Sequence, residues 1–88
     1  LDQNYPNPFN PMTNIRYDIA ETANASLVIY NMLGQEIRTL VNTRQDVGRY
    51  EVMWNGLDNA GQPVATGIYI YQLHAGNFNK TIKMAYIK

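Results

Sequence analysis

The chain has no cysteine and a single histidine, His74. Disulfide staples, thiol catalysis, Cys-based zinc sites and His-rich metal clusters are therefore outside its chemistry. Charge is sparse: 16% of residues are charged, seven basic against seven acidic, with no net charge. A nucleic-acid partner calls for a basic stripe or a pI above roughly 9. The pI here is about 6.8, so no nucleic-acid partner is expected. No apolar run approaches the roughly 18 residues of a membrane span. Nor does the N-terminus show a charged-then-apolar leader pattern. Ser26 is the only serine, and it stands in a strand-like run rather than a nucleophile elbow. Eighty-eight residues make one small domain. An autonomous enzyme is not expected, and no cofactor is implied.

What the chain does have is turn-formers and tyrosine: eleven Asn, seven Tyr, six Gly and four Pro. Tyr, Val, Ile and Thr suit a half-buried pleated surface, whereas Asn, Gly and Pro suit turns. Three of the four prolines, Pro6, Pro8 and Pro11, crowd into the opening LDQNYPNPFNP. Each removes a backbone donor and pushes the residue before it toward extended geometry. Residues 1–12 are thus expected to form an irregular extended arm packed on the rest, with Tyr5 and Phe9 as aromatic anchors.

Period-two alternation dominates residues 13–88. Ile15, Tyr17 and Ile19 alternate with Asn14, Arg16 and Asp18 in a first strand over 13–19. Glu21–Asn24 reads as a turn. Ser26–Tyr30 is apolar on both faces, which predicts a central strand. Residues 31–35 form a connection in which Gly34 is free to take positive φ, leading to a strand over Glu36–Val41. Residues 42–47 read as a polar loop. Tyr50, Val52 and Trp54 point inward from the next strand, and Asn55–Pro63 is the densest turn signal in the chain. Val64-Ala65 is a possible short strand. Tyr69, Tyr71 and Leu73 share one face of a long strand over 68–75, and Gly76-Asn77 predicts a tight hairpin into a last strand over 78–87, with Ile82, Met84 and Tyr86 on one face. This pattern of short strands with regular turns predicts an all-β antiparallel sandwich of about seven strands, with Trp54 at its core.

Candidate chemistry is thin. His74 falls on the strand face opposite Tyr71, which predicts a solvent-facing residue. Seven scattered acids show no recognisable pair for glycoside hydrolysis. Asn55, Asp58 and Asn59 offer oxygen ligands for a calcium ion, yet an Asx-turn uses the same side chains on their own backbone. A sugar-stacking platform needs exposed rings, and Tyr17, Tyr50, Tyr69, Tyr71 and Tyr86 all fall on inward faces. The charges are unevenly spread: every acid and every arginine lies in residues 1–58, leaving Lys80, Lys83 and Lys88 alone in the remainder. Such lysines protect a sheet edge from aggregation, or form a basic face that a receptor recognises.

Four segments in order, NYPNPFNPMTNIRYDI, YNMLGQEIRTLV, WNGLDNAGQPVATGIYIYQL and KTIKMAYIK, resemble a type A C-terminal sorting domain of the type IX secretion system of Bacteroidetes-like bacteria. The resemblance covers essentially the whole chain. The WNG-x-D-x-x-G-x-x-V-x-x-G-x-Y segment is also similar to the Ig-like domain of the flagellar hook-capping protein. The resemblance implies an immunoglobulin-like sandwich that carries a secretion signal and no catalysis. A covalently joined cargo is expected upstream of Leu1, and Lys88 is expected to be the last residue. Implied partners are the type IX translocon, an outer-membrane shuttle protein and a cell-surface sorting peptidase that usually removes the domain. The implied location is the periplasm in transit, then the cell surface or the medium, with the domain itself a monomer. The matching positions are Asn4, Pro6, Asn7, Pro8, Phe9, Asn10, Pro11, Gly34, Trp54, Gly56, Asp58, Gly61, Gly67, Tyr69, Lys83 and Met84. Most answer backbone or packing demands. Lys83, opposite Met84, is the foremost recognition residue, with Lys80 and Lys88 beside it. The alternative is a non-catalytic accessory sandwich, either a carbohydrate-binding module or a spacer.

Overall fold

A computed structural model describes residues 1–9 and 11–87. Six strands account for the regular structure: β1 (Thr13–Ile19), β2 (Ala23–Asn31), β3 (Glu36–Gln45), β4 (Gly48–Trp54), β5 (Gly67–Ala75) and β6 (Phe78–Tyr86). They form two antiparallel sheets, β1-β4 and β3-β2-β5-β6. Alternation sets the faces. Ile15, Tyr17, Ile19 and Trp54 of the small sheet meet Ala25, Leu27, Ile29, Tyr69, Tyr71, Leu73, Met84 and Tyr86 of the large one in a single core. Trp54 is 1% exposed, and its indole N–H donates to the carbonyl of Leu57 at 2.9 Å.

The expected seventh strand is absent from the described residues. Val64 is buried, but Pro63 before it makes only an isolated bridge to Leu57, because proline cannot donate to a ladder. A second correction concerns residues 42–45. They continue β3 rather than looping, and the expected turn at 23–24 belongs to β2, with Asn24 opposite Arg44 and Ala23 opposite Gln45. Hairpin pairing overrides the polar composition there. β3 also carries two register shifts, between Leu27 and Val28 and between Ile29 and Tyr30 of its partner. These bulges bring Ile37, Leu40 and Val41 all against the core. The β5–β6 hairpin closes on Gly76 at φ 58°, with Ala75 opposite Phe78, as the sequence predicts.

The arm runs beside β1 and then crosses to the end of β6. Asp2 N–H donates to Arg16 O, and Tyr5 exchanges two hydrogen bonds with Asn14. Farther on, Phe9 N–H donates to Ala85 O, and Ile87 N–H donates to Phe9 O. One segment thereby pairs with an edge strand of each sheet, more backbone pairing than three prolines suggest. The Tyr5–Pro6 and Asn7–Pro8 peptide bonds are cis.

Candidate recognition surface

The arm's motif residues are seated by a buried polar network. Asn4 and Thr13 are 2% and 1% exposed. The Asn4 side-chain amide donates to Thr13 Oγ1 (2.9 Å) and to Pro6 O (3.1 Å), while Thr13 Oγ1 donates to Pro6 O (2.8 Å). The Tyr71 hydroxyl, arriving from the opposite sheet, accepts from Asn4 N–H at 2.8 Å and donates to Asp2 O at 2.6 Å. Burial pushes the Tyr71 pKa up to about 12, the hydrogen bond from Asn4 N–H pulls it down and Asp2 raises it further. Asn7 Oδ1 accepts from Ala85 N–H, so Asn4 and Asn7 satisfy backbone that prolines and edge strands leave open.

Phe9 carries the apolar half of the docking. It is 2% exposed, stacked on Tyr86 at 4.9 Å and tilted against Trp54 at 5.5 Å. Trp54 in turn meets Tyr69 edge-on at 5.6 Å. The expected anchor Phe9 is thus in the core, but Tyr5 is 79% exposed. Its pairing with Asn14 turns it onto the outer face, away from the core. Pro8 and Pro11 are exposed, and Asn10 lies outside the described residues.

Gly56 sits against this cluster at φ 77°, where a Cβ would lie 3.3 Å from the Tyr86 hydroxyl and 3.5 Å from Pro11 O. A side chain there would be strained by the backbone and crowded by Tyr86. Gly67 opens β5, and Met84 is buried at 2%.

The turn-rich loop from Asn55 to Pro63 covers one edge of β3. Asn59 N–H donates to Ile37 O, and Thr39 N–H donates to Asn59 Oδ1, as a neighbouring strand would. Asp58 Oδ1 accepts from Ala60 and Gln62 N–H, Gly61 N–H donates to Asp58 O, and Asn55 Oδ1 accepts from Leu57 N–H. The three calcium-candidate side chains therefore turn onto backbone N–H groups, Asn55 and Asp58 in Asx-turns and Asn59 on the edge of β3. Among the described residues no three His, Cys, Asp or Glu side chains gather into a metal-holding group.

Lys80 and Lys83 are both exposed, but alternation along β6 puts them on opposite faces, Lys80 on that of Ile82 and Lys83 on the outer one. The strand does not present them as one basic face, and Lys88 lies outside the described residues. Lys83 stands opposite Ile70, which stands opposite Tyr30, in one row across the outer face. His74 is exposed, between Ser26 and Asn79 in a parallel row. Tyr17, Tyr69, Tyr71 and Tyr86 are buried and Tyr50 is half-buried, stacked on Tyr17 at 5.4 Å, so these rings form no exposed sugar platform. Open concavities lie among the described residues. One, about 530 Å³, lies over the ion pairs Arg16–Glu51 and Asp18–Arg49; another, about 560 Å³, lies at the end of the sandwich beside Leu1, Ala23, Ala75 and Phe78.

Sequence reading places the turn between β2 and β3 at residues 31–35, as found, but not the hydrogen bonds that order it. Asn31 orders it: its Oδ1 accepts from Leu33 and Gln35 N–H at 3.0 Å each, its carbonyl accepts from Gly34 N–H, its N–H donates to Gln35 O, and its side-chain amide donates to Gln35 Oε1. Gly34 takes φ 82°. Met32 and Leu33 are held at the tip, 57% and 85% exposed. An asparagine followed at four residues by glutamine, around two apolar residues and a glycine, is the sequence signal for it.

A sequence-family comparison decides the relationship. The model of the FlgD Ig-like domain matches residues 11–78. The chain belongs to the FlgD Ig-like domain family. This family fold accounts for the all-β sandwich and is generally non-catalytic. Among solved structures, the chain is similar to PorZ from Porphyromonas gingivalis, described as an essential bacterial surface component of the type-IX secretion system. The likeness has a TM-score of 0.66 at 23% identity and covers 98% of this chain and 11% of PorZ. It is similar to FLGD from P. aeruginosa (TM-score 0.65, 19% identity, 84% of this chain, 57% of that one). It is also similar to dimeric latent PorU from P. gingivalis (TM-score 0.73, 16% identity, 97% of this chain, 9% of that one). At these identities the likeness is one of fold, and the chain spans only part of the length of each of these proteins. No curated protein sequence matches the chain.

Proposed function

We propose that this FlgD Ig-like domain is a sorting domain for type IX secretion. It directs a cargo joined upstream of Leu1 through the outer-membrane translocon, by way of the outer-membrane shuttle protein. A cell-surface peptidase then removes it, so the domain resides in the periplasm in transit and at the surface afterwards. One observation carries this reading: the likeness to PorZ takes in 98% of the chain, arm included, whereas the family match begins at residue 11 and the FLGD likeness covers 84%. The Asn/Pro arm thus falls within the likeness to PorZ, which supports the secretion reading. Lys83, on the outer face, is the proposed recognition lysine. Membership of the FlgD Ig-like family favours a second reading, a structural domain of an extracellular assembly with no influence on export.

The test is a periplasm-targeted reporter carrying residues 1–88 at its C-terminus, expressed in a type IX-competent bacterium and in a translocon-deficient strain. Translocon-dependent release to the surface or medium is expected. Equal retention in both strains would favour the structural domain. Replacing Lys80, Lys83 and Lys88 by Gln, with the melting temperature unchanged, is expected to lower export, and normal export would refute lysine recognition.

A further inference from the structure

The β2–β3 turn is ordered from within. Four hydrogen bonds of one residue, Asn31, hold its backbone, and a fifth ties the Asn31 side-chain amide to Gln35 Oε1. What the fixed backbone carries at its tip is Met32 at 57% and Leu33 at 85% exposure. Ile68, next to the Tyr69 that pairs with Asn31, is 45% exposed at the same end. Apolar side chains left in water cost free energy that burial would recover, about 25 cal/mol per Å², and a preordered backbone loses little entropy on docking.

Position and charge narrow the occupant. Leu1 lines the cavity at the other end of the sandwich with Ala23, where β2 begins, whereas the tip follows Asn31, where β2 ends. Nine residues of strand, roughly 30 Å at 3.3 Å each, separate them along a molecule 37 Å long. A cargo joined ahead of Leu1 therefore leaves from the far end, which keeps the tip clear of it. The first charges along the strand that leaves the tip are one acid and one base: Glu36, which accepts from Asn59 Nδ2, and Arg38, which donates to Asp58 O. Among the described residues this pair is balanced in charge, unlike the basic fringe that draws an apolar loop to an anionic membrane.

We infer that the Met32–Leu33 tip is the docking knob of the domain, inserting into a concave apolar pocket on a protein of the secretion machinery. This rests on the proposed sorting function and deepens it. The contact is small, two side chains presented on a rigid loop, in the manner of an interface hot spot.

The closing experiment uses the reporter carrying residues 1–88. The parent's translocon-dependent export tests the sorting function; the variants test the knob. Met32→Ser combined with Leu33→Ser is expected to keep the melting temperature and lower export at least tenfold. Met12→Ser with Met53→Ser, two other exposed apolar residues away from the tip, is expected to leave export unchanged. Asn31→Ala, which keeps both apolar side chains but loosens the turn, is expected to fall between. Parent-like export by the tip variant overturns the knob while leaving the sorting function standing; equal loss in the Met12/Met53 variant also overturns it. Leu33-dependent sedimentation of the purified domain with phosphatidylethanolamine–phosphatidylglycerol vesicles would assign the tip to a membrane and overturn the protein pocket.

Discussion

Replacing Phe9 by alanine asks whether the Pro/Asn arm belongs to the fold or hangs on it. The ring is 2% exposed and contacts Tyr86 and Trp54 at 4.9 and 5.5 Å between centroids. Truncating a core phenylalanine costs about 3–5 kcal/mol. For 88 residues, the usual 0.05–0.15 kcal/mol per residue gives about 4–13 kcal/mol of stability for the whole domain. Phe9→Ala should therefore remove a large share of it. At about 4–8 °C per kcal/mol for a domain of this size, the melting temperature should fall by about 12 °C or more. Trp54 is the only tryptophan and touches Phe9, so a urea titration followed by its fluorescence reads the loss directly. Hydrogen exchange supplies a local readout: the amides of Ala85 and Ile87, which donate to Asn7 and Phe9, should lose protection before the centre of β5 does. A urea midpoint matching the parent, with both amides still protected, would refute the claim that the arm completes the core.

Alkaline stability should follow the buried phenols. Tyr71 binds its proton more tightly folded, with a pKa pushed up to about 12 from the usual 10, and burial raises Tyr17 and Tyr69 in the same direction. The Tyr71 stabilisation is fully present below about pH 10 and is lost as pH climbs toward 12, about 2–3 kcal/mol in all. Tyr71→Phe should flatten that decline while costing about 1–3 kcal/mol at neutral pH, because Asn4 N–H loses its acceptor; urea midpoints measured from pH 8 to 12 on both proteins check this. Gly34→Ala should cost about 1–2 kcal/mol, from backbone strain alone, since nothing lies within 4 Å of its Cβ position. Gly56→Ala should cost more, because its Cβ also meets Tyr86 at 3.3 Å, and equal melting temperatures for the two variants would contradict this. Removing the Asp18–Arg49 pair, with side chains 71% and 92% exposed, should change stability by less than about 1 kcal/mol in thermal melts.

Much of this fold is legible in alternation. The inward sets Tyr50-Val52-Trp54, Tyr69-Tyr71-Leu73 and Ile82-Met84-Tyr86 follow from period-two patterning, since burial on one face leaves one register possible. What sequence reading misses is settled by partners distant in the chain. The polar residues 42–45 are strand because residues 23–26 lie opposite them, which local composition does not reveal. Val64 is buried without becoming a strand because Pro63 ends the pairing. Asn4 reads as a turn-former, yet it is buried because Thr13, Pro6 and Tyr71 complete its hydrogen bonds. Lys80 and Lys83 read as one basic cluster by count, and alternation along β6 separates them. Met32 and Leu33 read as ordinary connection residues, and only the bonds converging on Asn31 show them held outward.

The most direct measurement compares export of a reporter fused to residues 1–88 with that of the same reporter fused to residues 13–88. The longer fusion should reach the surface or medium in a translocon-dependent way, and the shorter one, lacking Phe9 and Asn4, should stay in the periplasm and be degraded. Equal export of the two, or retention of both, would contradict a sorting domain whose arm is part of its fold.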